Sequence, residues 1–300
     1  MRLYGVGNVI IDLTLPVPTI PGPGQDVIAD GAEYQVGGTY NTLVAAVRHG
    51  LASVYAGAHG TGPFGDRARE GLREDGIGLA HAPTPGRDTG FDVALTQRDG
   101  ERSFVTVFGA EAELSAAQLQ TLHPEVGDIV YVSGYGLLPR TNADAIAQWL
   151  TVLPSQILVL VDPGPLVAQI PPAVWRTVEA RSSWLSCNRA EATILTGIDD
   201  SSQAAIALGR KVAHVVVRDG AAGAWLCLDE AAQLVEGIAV KVVDTNGAGD
   251  AHCGSLMAAL ARGESPERAV RIANACAALA VTRFGPATAP TLAQTLAALD

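Results

Sequence analysis

The residues best suited to chemistry lie in one run, Val243-Asp244-Thr245-Asn246-Gly247-Ala248-Gly249-Asp250-Ala251-His252. A strand-like segment ends there, a turn of small residues follows, and a helix is expected from about Gly249. Glycine lets the backbone come close to a ligand, and the first-turn amides of a helix point outward without partners. With the helix dipole they make an anion site suited to a phosphate. Asp250 in that first turn is favoured as the carboxylate and can take the proton of an attacking hydroxyl. A tight turn followed by a dipole-favoured aspartate reads equally well from Gly-x-Gly-Asp alone; the full string is more specific.

Such a turn must be carried on a rigid frame. Strand-length apolar runs alternate with segments of helical period, the pattern of a mostly parallel sheet flanked by helices in an α/β fold. The expected strands are 3–9, 52–58, 128–132, 157–162, 184–187 and 214–217. Expected helices cover 41–48, 66–74, 143–150, 191–195, 250–261 and 266–282, with Ser265 and Pro266 as a start signal for the last. Two segments break the rhythm. Residues 13–36 are rich in proline and glycine, and 90–108 alternate around Arg98-Asp99-Gly100-Glu101, which reads as a hairpin with an Asp-Gly turn. Together they predict a small antiparallel sheet projecting from a single domain of residues 1–300, inserted at about 13–36 and 88–109.

The string Asp244-Thr245-Asn246-Gly247-Ala248-Gly249-Asp250 resembles the C-terminal signature of the ribokinase-like (PfkB-type) carbohydrate kinases. The resemblance extends from Gly7 to Gly285. It implies ATP-dependent phosphorylation of a sugar hydroxyl, or of a nucleoside, with Asp250 as base and Gly247, Ala248 and Gly249 as the anion turn. Asp12, Gly37, Gly38 and Asn41 are similar to the family's substrate-binding positions, and the two irregular segments fall where the family carries a β-lid. Asn188-Arg189-Ala190-Glu191 is similar to its Asn-x-x-Glu, implied to organise Mg²⁺ and the phosphates, and is also a capping-box pattern. Arg218, Gly220 and Gly223 resemble the nucleotide loop, although the family usually has Thr or Lys where Arg218 stands. Asn274 fits the stretch that lines the adenine pocket. The resemblance further implies a monovalent cation, K⁺, held by Asp244, Asn246 and the loop containing Ala280, Arg283 and Gly285.

Composition narrows the rest. Lys and Arg total 20 against 31 Asp and Glu, a net charge of −11, which repels a nucleic-acid backbone. No apolar run of membrane-spanning length and no leader pattern occur, so a cytoplasmic enzyme away from membranes is expected. The four cysteines are scattered and read as buried thiols; the six histidines have no metal-ligand spacing. Gly60-Thr61-Gly62-Pro63-Phe64-Gly65 matches a dinucleotide fingerprint, but Pro63 removes an amide a pyrophosphate would use. A Walker loop is missing, since Gly209-Arg210-Lys211 continues with Val212. The loop after Gly37 has Thr39 and Tyr40 where a phosphate-pairing lysine would stand, which favours a neutral sugar or nucleoside. Arg87, Arg98 and Arg102 lie in or beside the expected lid, whose edges and apolar surface suit a homodimer contact.

Overall fold

A computed structural model describes residues 1–97 and 102–299. In chain order the strands are β1 (Leu3–Val6), β2 (Val9–Pro16), β3 (Glu33–Gly38), β4 (Ser53–Tyr55), β5 (Gly78–Leu79), β6 (Phe91–Thr96) and β7 (Arg102–Val107). They continue as β8 (Ile129–Ser133), β9 (Leu158–Asp162), β10 (Trp184–Asn188), β11 (His214–Arg218), β12 (Gly223–Leu228) and β13 (Ala231–Glu236). The α-helices are α1 (Thr39–Arg48), α2 (Pro63–Glu74), α3 (Ala116–Gln120), α4 (Arg140–Val152) and α5 (Pro172–Arg181). After them come α6 (Arg189–Thr196), α7 (Ser201–Gly209), α8 (Ala248–Ala261), α9 (Pro266–Ala280) and α10 (Leu292–Ala297).

Nine strands form the main sheet in the order β13-β12-β11-β10-β9-β8-β1-β4-β5. From β11 to β5 every pairing is parallel; β12 and β13 add an antiparallel edge. Side-chain alternation splits the core between the two faces. Val130, Val132, Val159 and Val161 join the cluster that packs on α4, whereas Ile129, Tyr131 and Leu160 join the one that packs on α1, α8 and α9. Successive crossovers run one way from β1 through β4 to β5 and the other way from β8 to β11. The carboxyl ends beside β1 and β8 are therefore the switch point, where open α/β sheets bind ligands.

The small sheet has the order β3-β2-β6-β7. Two expectations are corrected here. Residues 3–9 are not one strand: the chain leaves the main sheet after Val6 and enters the small sheet at Val9. The small sheet is also not wholly antiparallel, because β2 and β6 pair in parallel. Both strands enter it from the carboxyl edge of the main sheet, so they run in the same direction. The Asp-Gly turn expected at Asp99-Gly100, with Arg98 and the side chain of Arg102, lies outside the described residues. Helix ends differ by up to three residues from expectation: α1 begins at Thr39, α2 at Pro63, α4 at Arg140 and α8 at Ala248, and α9 stops at Ala280.

Candidate active site

Helix α8 starts from Gly247, whose φ of 74° is the left-handed conformation that only glycine adopts without cost. A Cβ there would also fall 1.9 Å from the Pro286 carbonyl oxygen, so the position has no room for another residue. The Ala248 amide makes a long 3.3 Å bond back to the Thr245 carbonyl. Asp250 follows in the first turn. Its Oδ1 accepts a 2.7 Å hydrogen bond from the Thr42 hydroxyl on α1, and the Asn41 side chain also favours its charged form. The two helices come this close because residue 254 is glycine: a Cβ there would lie 2.3 Å from the Thr42 carbonyl oxygen.

The expectation that Asp250 sits deep in its ionised form is modified. Burial pushes its carboxyl up to about 6; Asp162 adds to the rise, while Thr42, Arg218 and Asn41 oppose it. A carboxylate in that range is a base at neutral pH that can also hold a proton.

On one side of Asp250 stand the expected substrate residues. Asp12 on β2 projects over Gly37, where a Cβ would meet its carboxylate at 2.1–2.3 Å. Burial, Asp92 and Asp250 together hold the Asp12 carboxyl well above its usual range. Gly38 is the residue before α1, and Asn41 lies in its first turn, 5% exposed.

On the other side, a cavity of about 540 Å³ is lined by Asn188, Arg218, Gly220, Gly223 and Asn274 together with Ala248, Gly249 and His252. Asn188 and Glu191 do form a capping box, as the spacing allows. Glu191 also reaches the Arg218 guanidinium at 3.5 Å. Arg218 lies beneath the anion turn: a Cβ on Gly249 would touch its Cζ at 3.4 Å. Its Nη1 donates to Asp162 at 3.0 Å, to the Ser186 hydroxyl at 2.9 Å and to the Cys253 sulfur at 3.2 Å. Burial and Asp162 raise the Glu191 carboxyl to about 7 against the pull of Arg218 and the Asn188 amide. Asn274 donates from Nδ2 to the carbonyls of Val235 and Glu236, and its Oδ1 faces His252 Nε2 at 3.2 Å. Burial and Arg218 keep that histidine neutral, lowering it to about 3.

The third expected group gathers around Asp244. Its Oδ1 accepts from the Asn246 amide at 2.9 Å and its Oδ2 from the Gly285 amide at 3.0 Å, so the carboxylate joins the turn to the following loop. The Ala280 carbonyl accepts from the Thr288 hydroxyl and the Arg283 amide, and Arg283 Nη1 reaches the Thr288 carbonyl at 3.4 Å.

Four residues near these groups escaped the sequence. Asp162 closes β9 as Arg218 closes β11, and a carboxylate at the carboxyl end of a strand is a signal that would have found it. Thr42 depends on the approach of α1 to α8. Asp92 and Asn8 depend on strand register and carry no local signal. Two other features lose their functional reading. In the Gly60–Gly65 turn the amides of Phe64 and Gly65 are occupied by the Asp88 carboxylate, at 3.2 and 2.7 Å, which closes it to a pyrophosphate. Arg87 pairs with Glu113.

The pfkB family carbohydrate kinase model matches residues 2–292. The protein named "Uncharacterized sugar kinase YegV" of Escherichia coli (strain K12) is 30% identical, over 98% of this chain and 92% of its own length. Ribokinase of Haemophilus influenzae is 25% identical, over 98% of this chain and 97% of its own. Among solved structures, ribokinase of Thermotoga maritima superposes with a TM-score of 0.85 at 25% identity, covering 100% of this chain and 99% of that one.

Proposed function

The chain belongs to the pfkB family of carbohydrate kinases, which are ATP-dependent, and for its phosphotransfer to a sugar hydroxyl we propose the following residue roles. Asp250 is the general base. Asp12 and Asn41 hold substrate hydroxyls, with Gly37 and Gly38 leaving room for them. The amides of Gly247, Ala248 and Gly249 receive the charge that develops on the transferred phosphate. Asn188, Arg218, Gly220, Gly223 and Asn274 form the nucleotide side. The observation that carries this reading is the position of Asp250 between the Asp12 pocket and the 540 Å³ cavity, buried enough to titrate near 6.

In this scheme the substrate hydroxyl loses its proton to Asp250 as its oxygen bonds to the γ-phosphorus, and the bond to the β-phosphate oxygen breaks in line. Thr42 keeps Asp250 turned toward that hydroxyl. Mg²⁺ suits the oxygen-rich flank formed by Asp162 and Glu191, where it would act through waters and neutralise phosphate charge. Asp244, Asn246, Ala280, Arg283 and Gly285 are the residues proposed to surround K⁺; the oxygen-only donors of a carboxylate and carbonyls suit such an ion. It would stiffen the anion turn without touching the substrate. The small sheet is proposed to act as the lid over the sugar, within one ribokinase-like unit. Val105 and Val107, which share one face of β7, are 62% and 45% exposed, an apolar face that fits a homodimer. No helix among the described residues is long and apolar enough to cross a membrane.

Asp250→Asn, with its fold confirmed by circular dichroism, is expected to bind an ATP analogue normally and to lose about 10²–10⁴-fold in kcat. A variant with near-wild-type turnover would end the base assignment. Initial rates in potassium, sodium and a bulky organic cation at matched ionic strength test the ion; equal rates would remove it.

A further inference from the structure

The small sheet brings two aspartates to the substrate side. Asp12 on β2 and Asp92 on β6 stand directly opposite each other in the parallel register, so their side chains leave the same face as neighbours. Both carboxyls are raised by burial, Asp92 to about 6, and Asp12 also feels Asp92 and Asp250. Asp92 and Asp250 both raise the Tyr135 phenol as well, after burial and together with Glu191 and Asp162.

On that side the polar atoms left without partners are mostly acceptors. The Oδ1 atoms of Asp92, Asn41 and Asn8 are buried and bond to nothing among the described residues; Thr39 adds a hydroxyl. Asn41 and Asn8 are 5% and 4% exposed. The Asn8 amide nitrogen is already committed to the Tyr135 carbonyl at 3.3 Å, and the Asn41 side chain favours the charged form of Asp250. Among the described side chains no Lys or Arg acts on Asp12 or Asp92, and Arg218 is engaged by Asp162 and Glu191. A pocket of buried acceptors is completed by a ligand that brings donors. A ligand with its own negative charge would add to three carboxylates in a desolvated space.

We propose that Asp92 is a specificity-determining residue which, with Asp12, forms a two-carboxylate cradle for adjacent hydroxyls of a neutral polyhydroxylated substrate and rejects anionic sugars. The inference rests on the sugar-kinase reading of this site and adds to it the substrate class and the residue that sets it.

Steady-state kinetics of wild type, Asp92→Asn and Asp92→Ala test it, with neutral sugars and polyols, an aldonic acid and a sugar phosphate as acceptors. The asparagine is isosteric, so loss of folding does not obscure the result. For the neutral sugar that wild type uses best, both variants should raise the sugar KM roughly 10- to 100-fold, as for lost bonds to a charged acceptor. The kcat should stay within about threefold and the KM for ATP should not move. Discrimination against the aldonic acid and the sugar phosphate should shrink in both variants. Unchanged sugar KM in active variants, or equal losses toward sugar and ATP, overturns the role of Asp92 alone. Wild-type preference for an anionic acceptor overturns the substrate class. Wild type that phosphorylates no sugar overturns the underlying reading and the inference with it.

Discussion

Gly37→Ala isolates the substrate side of the site. The new Cβ would stand 2.1 Å from Oδ2 of Asp12 and 2.3 Å from its Cγ and Oδ1. Non-bonded atoms need more than 3 Å, so about 1 Å must be found. Strand β3 cannot supply it easily, because its ladder with β2 runs unbroken from Val9↔Gly38 to Thr14↔Glu33. The Asp12 carboxylate must therefore swing away from the substrate. Each hydrogen bond to a charged group is worth about 1.5–3 kcal/mol. Losing one or part of two costs about 2–4 kcal/mol, a 30- to 1,000-fold weaker sugar complex. Calorimetric titration with sugar and, separately, with an ATP analogue reads both sides, and the analogue should bind as in wild type. Gly31→Ala is the control, since nothing lies within 4 Å of a Cβ there. Sugar affinity of the Gly37 variant within about threefold of wild type would refute the reasoning from Asp12.

The carboxyl of Asp250 titrates at about 6, and only its deprotonated form can act as base. The kcat/KM should fall as pH drops through about 6 and level off above 7; a flat profile down to pH 5 would contradict that. Arg218→Met leaves Asp162 and Glu191 mostly buried without their shared cation, at an expected cost of about 3–5 kcal/mol measured by urea unfolding. An unchanged midpoint would mean the guanidinium is not structural. Val105→Asp, on the exposed apolar face of β7, should convert a dimer to monomer in sedimentation velocity without lowering the melting temperature; identical sedimentation of both proteins counts against the face.

What the sequence disclosed and what it withheld divide along physical lines. The glycine turn into α8 was legible because it is local: Gly247 and Asp250 are three residues apart and one helix start explains both. Asp12 was legible as a carboxylate closing an apolar run. The pairing of Asp12 with Asp92 spans 80 positions and depends on register, which no local pattern records. Thr42 reaches Asp250 only because Gly254 admits α1, again a matter of packing. The β12–β13 hairpin escaped because its turn residues, Asp229 and Glu230, hold φ of 49° and 60° without the Asn-Gly pair that advertises such a turn. The break at Gly7-Asn8 does carry turn-favouring residues, but apolar residues resume at Val9, so the two strands read as one.

That break has a consequence for inheritance. The small sheet is built from two excursions, β2–β3 and β6–β7; the first joins β1 and α1 almost directly, and the second is reached through residues 80–90. Asp12 and Asp92 travel on those excursions, whereas Asp250, Arg218 and the nucleotide cavity belong to the frame. The two excursions are thus a cassette: Asp12 and Asp92, proposed to recognise the acceptor, can be exchanged together while Asn41 and the residues proposed to handle phosphate stay in place. A lineage can acquire a new acceptor by recombining about one sixth of its length, and a laboratory transplant of the same two pieces follows the same seams.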